Sequence, residues 1–239
     1  MPGKTALVLF SGGQDSTICL AHALSRYDRV ETVGFTYGQR HSVEMTCRQN
    51  VLEAIRTTFP DWGIHLGEDH ICDLPVLGEI SETSLTREKE IEIDAGGIPS
   101  TFVPGRNLMF LTLAGAVAWR RDINTLIGGM CETDYSGYPD CRRGTLDAQE
   151  LTLARGLEKP MKIVSPLMWL DKAEAWELAH ELGGPKFIDL ICEETHTCYL
   201  GDRDKRHEWG YGCGTCPACD LRAKGYETWR RSMSRSELV

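Results

Sequence analysis

No apolar run in this sequence is long enough to cross a bilayer. The longest apolar-rich stretch, Leu108 to Trp119, falls short of the roughly 20 residues that a spanning helix needs. The stretch Thr5 to Phe10 near the N-terminus is likewise too short for a signal-peptide core, which predicts a cytoplasmic protein with no membrane association. Cations are scarce as well: 26 Lys and Arg against 35 Asp and Glu leave a formal net charge of −9 over 239 residues. Duplex and tRNA binding lean on clustered cations, so no nucleic-acid partner is expected. The one basic stretch, Arg222, Lys224, Arg230, Arg231 and Arg235, reads as a solvated helix face. Internal repeats and low-complexity tracts are absent, and the length leaves no room for a second large domain.

What is present is an alternation of strand and helix patterns, as in a parallel sheet covered on both faces. Strands are expected at Thr5 to Phe10, Arg29 to Tyr37, Ile64 to Ile71, Asn124 to Met130 and Met161 to Val164. Helices are expected at Thr17 to Ser25, His41 to Thr58, Asn107 to Arg121, Leu146 to Leu157 and Asp171 to Leu182. The last has an N-cap in Asp171, Glu174 three residues on, a stripe of Ala175, Leu178, Ala179 and Leu182, and a stop in Gly183-Gly184-Pro185. In doubly wound sheets ligands bind beyond the carboxyl ends of the strands. Three polar segments should therefore meet in one crevice: Ser11 to Ser16, Tyr37 to His41, and Met130 to Glu132.

The first of these, Ser11-Gly12-Gly13-Gln14-Asp15-Ser16, joins a strand to a helix. Paired glycines let the backbone approach an anion, and the N–H groups that open the helix point at it with the positive end of the dipole. The plainer alternative is a tight turn with a serine cap. A Walker A loop is excluded because there is no lysine. The lysine-free loop resembles the PP-loop of the ATP pyrophosphatase superfamily, which implies attack at the α-phosphorus with AMP and pyrophosphate as products.

Ten cysteines in a cytosolic chain point to metal binding and buried thiols rather than disulfides. Cys213, Cys216 and Cys219, with Cys198 upstream, can form a closed S₄ site, which suits structural zinc. Cys192, His196 and His207 compete for the fourth position, and a [4Fe–4S] cluster is the rival occupant. Cys19, Cys47, Cys72 and Cys131 read as small buried apolar residues.

Six motifs in order, Phe10 to Ser16, Tyr37 to His41, Ser100 to Asn107, Asp134 to Arg142, Pro166 to Trp169 and Thr197 to Tyr199 before the cysteine run, resemble the 7-cyano-7-deazaguanine synthase family. The resemblance spans nearly the whole chain. It implies a ligase of the adenine nucleotide alpha hydrolase-like fold: a doubly wound, mostly parallel α/β sheet over residues 1–190 and a zinc-binding segment with a helix over 191–239. The implied reaction turns 7-carboxy-7-deazaguanine, ammonia and ATP into the nitrile on the route to queuosine-type bases, through an acyl-adenylate and an amide. Mg²⁺ would accompany ATP, zinc would sit on Cys198, Cys213, Cys216 and Cys219, and the protein would be a homodimer, with the aromatic-bearing C-terminal region as a candidate interface. Fourteen residues separate Cys198 from Cys213, more than the family pattern, which predicts a longer surface loop.

Site residues follow from loop geometry together with the resemblance. ATP is assigned to Phe10, Ser11, Gly12, Gly13, Gln14, Asp15, Ser16, Thr17, Ile18, Cys19 and Leu20, with Arg106 facing the adenylate or a surface carboxylate. The flat guanine-like substrate needs a carboxylate for its N–H groups and a ring to stack on. Asp140 with Tyr138, or Asp134, meets that need, and Gln39 and Arg40 are further candidates. No catalytic nucleophile is assigned. Free ammonium is the expected donor, since no glutaminase domain fits. Two other functions compete. A PP-loop tRNA-thiolating enzyme with an iron–sulfur cluster would need a basic RNA surface, and a zinc-ribbon binding module would leave the glycine loop vestigial.

Overall fold

The computed structural model describes residues 3–38, 43–80, 83, 100–133 and 138–236. Five strands, β1 (Thr5–Leu9), β2 (Arg29–Thr36), β3 (Leu66–Asp73), β4 (Thr125–Ile127) and β5 (Lys162–Val164), form one sheet in the order β3-β2-β1-β4-β5. Every pairing is parallel. All five expected strands are present, the last two shorter than the apolar pattern suggested. The doubly wound arrangement follows from the alternation of β1. Ala6 and Val8 join one core with Ile18, Leu20, Leu52 and Trp176, whereas Leu7 joins the other with Val33, Leu111, Leu126 and Ile163. Successive side chains point to opposite faces, so a strand that is apolar throughout needs helices on both sides.

Those helices are α1 (Gln14–Leu24), α2 (Val43–Thr58), the short α3 (Pro60–Gly63) and α4 (Pro75–Ile80), α5 (Arg106–Arg120), α6 (Arg143–Gly156), α7 (Lys172–Glu194) and α8 (Pro217–Ser236). Among the described residues, no helix is long and apolar enough to cross a membrane. The expected cap of α7 is present in full: Asp171 accepts from the N–H groups of Ala173 and Glu174 at 2.8 and 2.9 Å, and Glu174 accepts from that of Asp171 at 2.8 Å. Its expected stop is corrected. Gly184 leaves helical geometry at φ 64°, ψ −163°, but Pro185 then opens a second helical run, since proline suits the first turn of a helix. Phe187, Ile188, Leu190 and Ile191 bury that run in the core.

The C-terminal region also departs from expectation. Arg222, read as part of a solvated face, is 0% exposed. Its guanidinium donates to the carbonyls of Trp209 and Ile191 and to the Thr197 hydroxyl, each at 2.9 Å. It also lies 5.6 Å from the Trp176 ring centre. Burial lowers its pKa to about 10, so it stays cationic at neutral pH. The long insert is no simple surface loop. Arg206–His207 and Gly210–Tyr211 pair as a hairpin, β6 and β7. Arg203 anchors the hairpin by donating to the carbonyls of Thr195, at 3.0 Å, and Glu193, with its guanidinium 4.7 Å from the Tyr211 ring centre. Tyr226 and Trp229 pack on Trp176 of α7. Cys19 and Cys47 are buried as expected, whereas Cys72 and Cys131 are partly exposed.

Replacing Arg222 by Ala removes the donor to the Trp209 carbonyl and the Thr197 hydroxyl and one of the donors to the Ile191 carbonyl, and should lower stability by about 3 kcal/mol. Lys224→Ala, on the exposed face with Asp220, should change stability by less than about 0.5 kcal/mol. Denaturant titration of both variants measures the contrast.

Candidate active site and metal centre

The glycine loop leaves β1 at its carboxyl end and enters α1 within a few residues. Gly12 takes φ 88°, a conformation that L side chains rarely adopt. A Cβ there would lie 2.7 Å from both the Arg48 nitrogen and the Glu44 carbonyl oxygen of α2. Gly13 is the N-cap of α1 and provides no side-chain acceptor, so the leading N–H groups of the helix have no side-chain cap and its positive end faces outward. The serines bond each other instead of capping the helix: the Ser11 and Ser16 hydroxyls are 3.1 Å apart, and Ser16 also donates to the Gly13 carbonyl at 3.1 Å.

Beside this loop lies a cavity of about 340 Å³. Ser11, Asp15 and Ser16 line one end, Tyr37 enters from beyond β2, and Met130 and Cys131 enter from beyond β4. The expected crevice thus receives all three segments. Glu44 and Arg48 of α2 and Arg106 and Phe110 of α5 complete its walls. Phe35 stacks on Phe110 at 4.1 Å, with the rings 4° from parallel. Nothing in the sequence separates these phenylalanines from ordinary core residues.

The loop carboxylate is met by a cation from elsewhere in the chain. Lys172, the first residue of α7, places Nζ 2.7 Å from Asp15 Oδ2. These residues are 157 positions apart, beyond any local signal. Arg106 opens α5 and lies 5.6 Å from the Tyr138 ring centre. Burial works against its charge, but Tyr37, Tyr138, Asp140 and Cys141 more than offset this and raise its pKa. Glu44 is shifted the other way: burial pushes its carboxyl up to about 7, against the opposing pull of Arg106.

Of the residues assigned to ATP, Phe10, Ser11, Asp15, Ser16 and Arg106 line the cavity. Gln14 and Thr17 are buried, and Ile18, Cys19 and Leu20 lie wholly within the core behind the loop. Of those assigned to the flat substrate, Tyr138 lines the cavity and shares a 2.5 Å hydrogen bond with Thr101. Asp140 is 4% exposed and accepts from the Asn107 N–H at 3.0 Å, which caps the start of α5. Its other oxygen is buried without a hydrogen-bond partner among the described residues. Gln39, Arg40 and Asp134 lie outside the described residues.

The chain matches the family model for the queuosine biosynthesis protein QueC over residues 5–230. It belongs to the QueC family. Relatives named 7-cyano-7-deazaguanine synthase include one from Polaromonas sp. (strain JS666), 61% identical over 97% of this chain and 98% of the relative. Another, from Hyphomonas neptunium, is 62% identical over 96% of each chain. A third, from Bordetella pertussis, is 59% identical over 95% of this chain and 93% of the relative. Among solved structures, a 4-thiouridine synthetase–RNA complex with bound ATP superposes with a TM-score of 0.52. It shares 18% identity, covering 95% of this chain and 53% of that one, which shows the same fold.

In this QueC chain the second constellation is a group of four cysteines. Sγ atoms of Cys198, Cys213, Cys216 and Cys219 lie within 4.8 Å of one another, a set able to hold a metal ion. N–H groups of Thr215 and Cys216 point at the Cys213 sulfur from 3.4 and 3.3 Å, the outer contacts that steady a thiolate ligand. The rival fourth ligands are engaged elsewhere: Cys192 donates to the Glu208 carbonyl, His196 Nε2 lies 3.1 Å from the Cys198 carbonyl oxygen, and His207 Nε2 lies 3.0 Å from that of Gly212. Substituting Ser for any of the four should weaken metal retention by about tenfold or more, read as metal content after dialysis. Cys192→Ser should keep its metal.

Proposed function

We propose that the cavity binds ATP and 7-carboxy-7-deazaguanine together and joins ammonia to the acid by way of an acyl-adenylate. Family membership supports an ATP-dependent carbon–nitrogen ligase in queuosine biosynthesis. The observation that carries the assignment to this site is that an α1 N-terminus without a side-chain cap opens into the same cavity as Arg106 and an aromatic wall. The loop N–H groups and hydroxyls hold the phosphates, with Lys172 positioned to neutralise charge that grows on pyrophosphate as it leaves. The substrate carboxylate attacks the α-phosphorus, and Arg106 steadies the adenylate. The flat base lies against the aromatic wall near Tyr138, with a carboxylate of Asp140 or Asp134, and Gln39 and Arg40, as its polar partners. Ammonia then displaces AMP to form the amide. A second adenylation, at the amide oxygen, makes that oxygen a leaving group, and its loss as AMP gives the nitrile. The protein contributes orientation and charge stabilisation, and Mg²⁺ accompanies ATP with few protein ligands.

The cysteine site is assigned to one structural zinc ion. Four sulfurs tetrahedral about zinc at about 2.3 Å stand about 3.8 Å apart, and the Cys213–Cys219 and Cys216–Cys198 separations are 3.9 and 4.0 Å. A [4Fe–4S] cluster, whose thiolates each bind a different iron, spreads its sulfurs farther. The thiolating alternative is disfavoured, because the relatives at 59–62% identity carry the nitrile-synthase name. Net charge of −9 also argues against RNA as substrate. A cytoplasmic location and a homodimer are part of the same reading by family resemblance.

With ATP, the carboxylate and isotopically labelled ammonium, mass spectrometry should find the label in a nitrile, with AMP and pyrophosphate as coproducts. ADP as the coproduct overturns the reading. Lys172→Ala should lower kcat by about 10² to 10³, and the wild-type protein should be colourless with one zinc per chain.

A further inference from the structure

The geometry points to Glu44 as the base that takes the nitrogen-bound protons released when ammonia becomes amide and amide becomes nitrile. This rests on the ligase reading above and adds a catalytic residue to it. Only Asp15 and Glu44 supply carboxylates among the described residues that line the cavity. Asp15 is already engaged by Lys172 at 2.7 Å in the first turn of α1. Glu44 lies in the first turn of α2, whose backbone presses on the loop: the Glu44 carbonyl oxygen would be 2.7 Å from a Cβ at Gly12. The backbone that carries it is therefore fixed against the segment that holds the phosphates, where the reacting carbon must sit.

Its surroundings suit the task. Arg106 of α5 and Tyr37 beyond β2 interact electrostatically with it, as does Cys47 on its own helix. Arg48 lies one turn along the same helix but is committed to Asp69 and the Phe10 carbonyl. Tyr138, Cys141, Tyr199 and Cys131 also line the cavity. Burial keeps the Tyr37 phenol neutral by raising its pKa, while the Glu44 carboxyl, at about 7, is poised for exchange near neutral pH.

The ammonia lone pair forms the C–N bond, the C–O bond to AMP breaks with its electrons on AMP, and one N–H proton passes to the Glu44 carboxylate. After release to solvent the carboxylate is ready again. The amide oxygen then attacks the second α-phosphorus, pyrophosphate leaves, and a second N–H proton passes to Glu44. Once Glu44 has again released its proton to solvent, the C–O bond breaks to expel AMP and the last N–H proton passes to its carboxylate as the triple bond closes.

The test separates these steps with E44Q. Adenylation of the carboxylate needs no base, so E44Q should still support pyrophosphate exchange into ATP with the carboxylate alone. Its amide and nitrile formation should fall by about 10² to 10³, and with the amide as substrate, where ammonia is not consumed, the fall of kcat/KM on the acid side of about pH 7 should vanish. Glu44→Asp should recover part of the loss. The inference is overturned if E44Q keeps wild-type nitrile turnover, if it loses exchange together with amide formation, or if it only weakens binding of the carboxylate, which would make Glu44 a partner of the ring edge. Absence of exchange in the wild type would instead refute the ligase reading itself.

Discussion

A guanidinium buried beneath the glycine loop fixes the part of the molecule on which the rest of the site depends. Arg48 of α2 is 0% exposed. It pairs with Asp69 of β3, donates to the Phe10 carbonyl at 3.3 Å and lies 5.2 Å from the Phe10 ring centre. A Cβ at Gly34 of β2 would fall 2.4 Å from its Nη1, so the guanidinium occupies space that any larger residue in that strand would claim. Burial lowers its pKa against the pull of Asp69, and its Nε has no hydrogen-bond partner among the described residues. Such an ion is costly to desolvate and is weak evidence for stability as such. What it supplies is position. One side chain ties α2, the end of β1 and the edge strand β3 together, and the loop shape follows from their spacing.

Position matters because of where β1 lies. It stands between β2 and β4 in the sheet, where the direction of strand order reverses and ligand crevices form in doubly wound folds. The loop after β1 and the segment after β4 diverge there, which opens the cavity between them. Charge is arranged around this opening against the overall balance of the chain. A protein of net charge −9 places Arg106 and the positive end of α1 at one crevice, with Lys172 paired to Asp15 beside it, a local positive field against the acidic balance of the chain.

Much of this was legible locally. β1 reads as a strand buried on both faces because it is apolar without interruption, and the loop reads as an anion site because two glycines fall between that strand and a helix. The cysteine spacing alone specified three of the four sulfurs that come together. Lys172 and Arg48 were not legible, because their roles depend on partners brought near only by the completed sheet. Arg222 was misread for a related reason. Among charged neighbours it fits a solvated face, yet the carbonyls of Trp209 and Ile191 that bury it belong to other elements. The Gly183-Gly184-Pro185 punctuation was read correctly as a break in geometry and wrongly as an end, since the apolar residues beyond it find a core already waiting.

The metal centre and the glycine loop are parts of one scaffold. The N–H of His196 donates to the Gly12 carbonyl at 3.2 Å, and Cys198 follows two residues later. Tyr199, next in sequence, lines the cavity. A cation held by the four cysteines thus restrains the segment that props the loop from below and the wall residue beside it. Cys198, Cys216 and Cys219 also share the core of Ala6, Phe10 and Trp176, so the cysteine segment is packed into the α/β unit. Buried Arg222 joins the same segment to the end of α7 through Thr197 and Ile191. The C-terminal helix is therefore tied, through the segment that carries Thr197 and His196, to the loop near the start of the chain. A closed S₄ site, which has no open position for chemistry, can still shape the cavity by setting where the glycine loop rests.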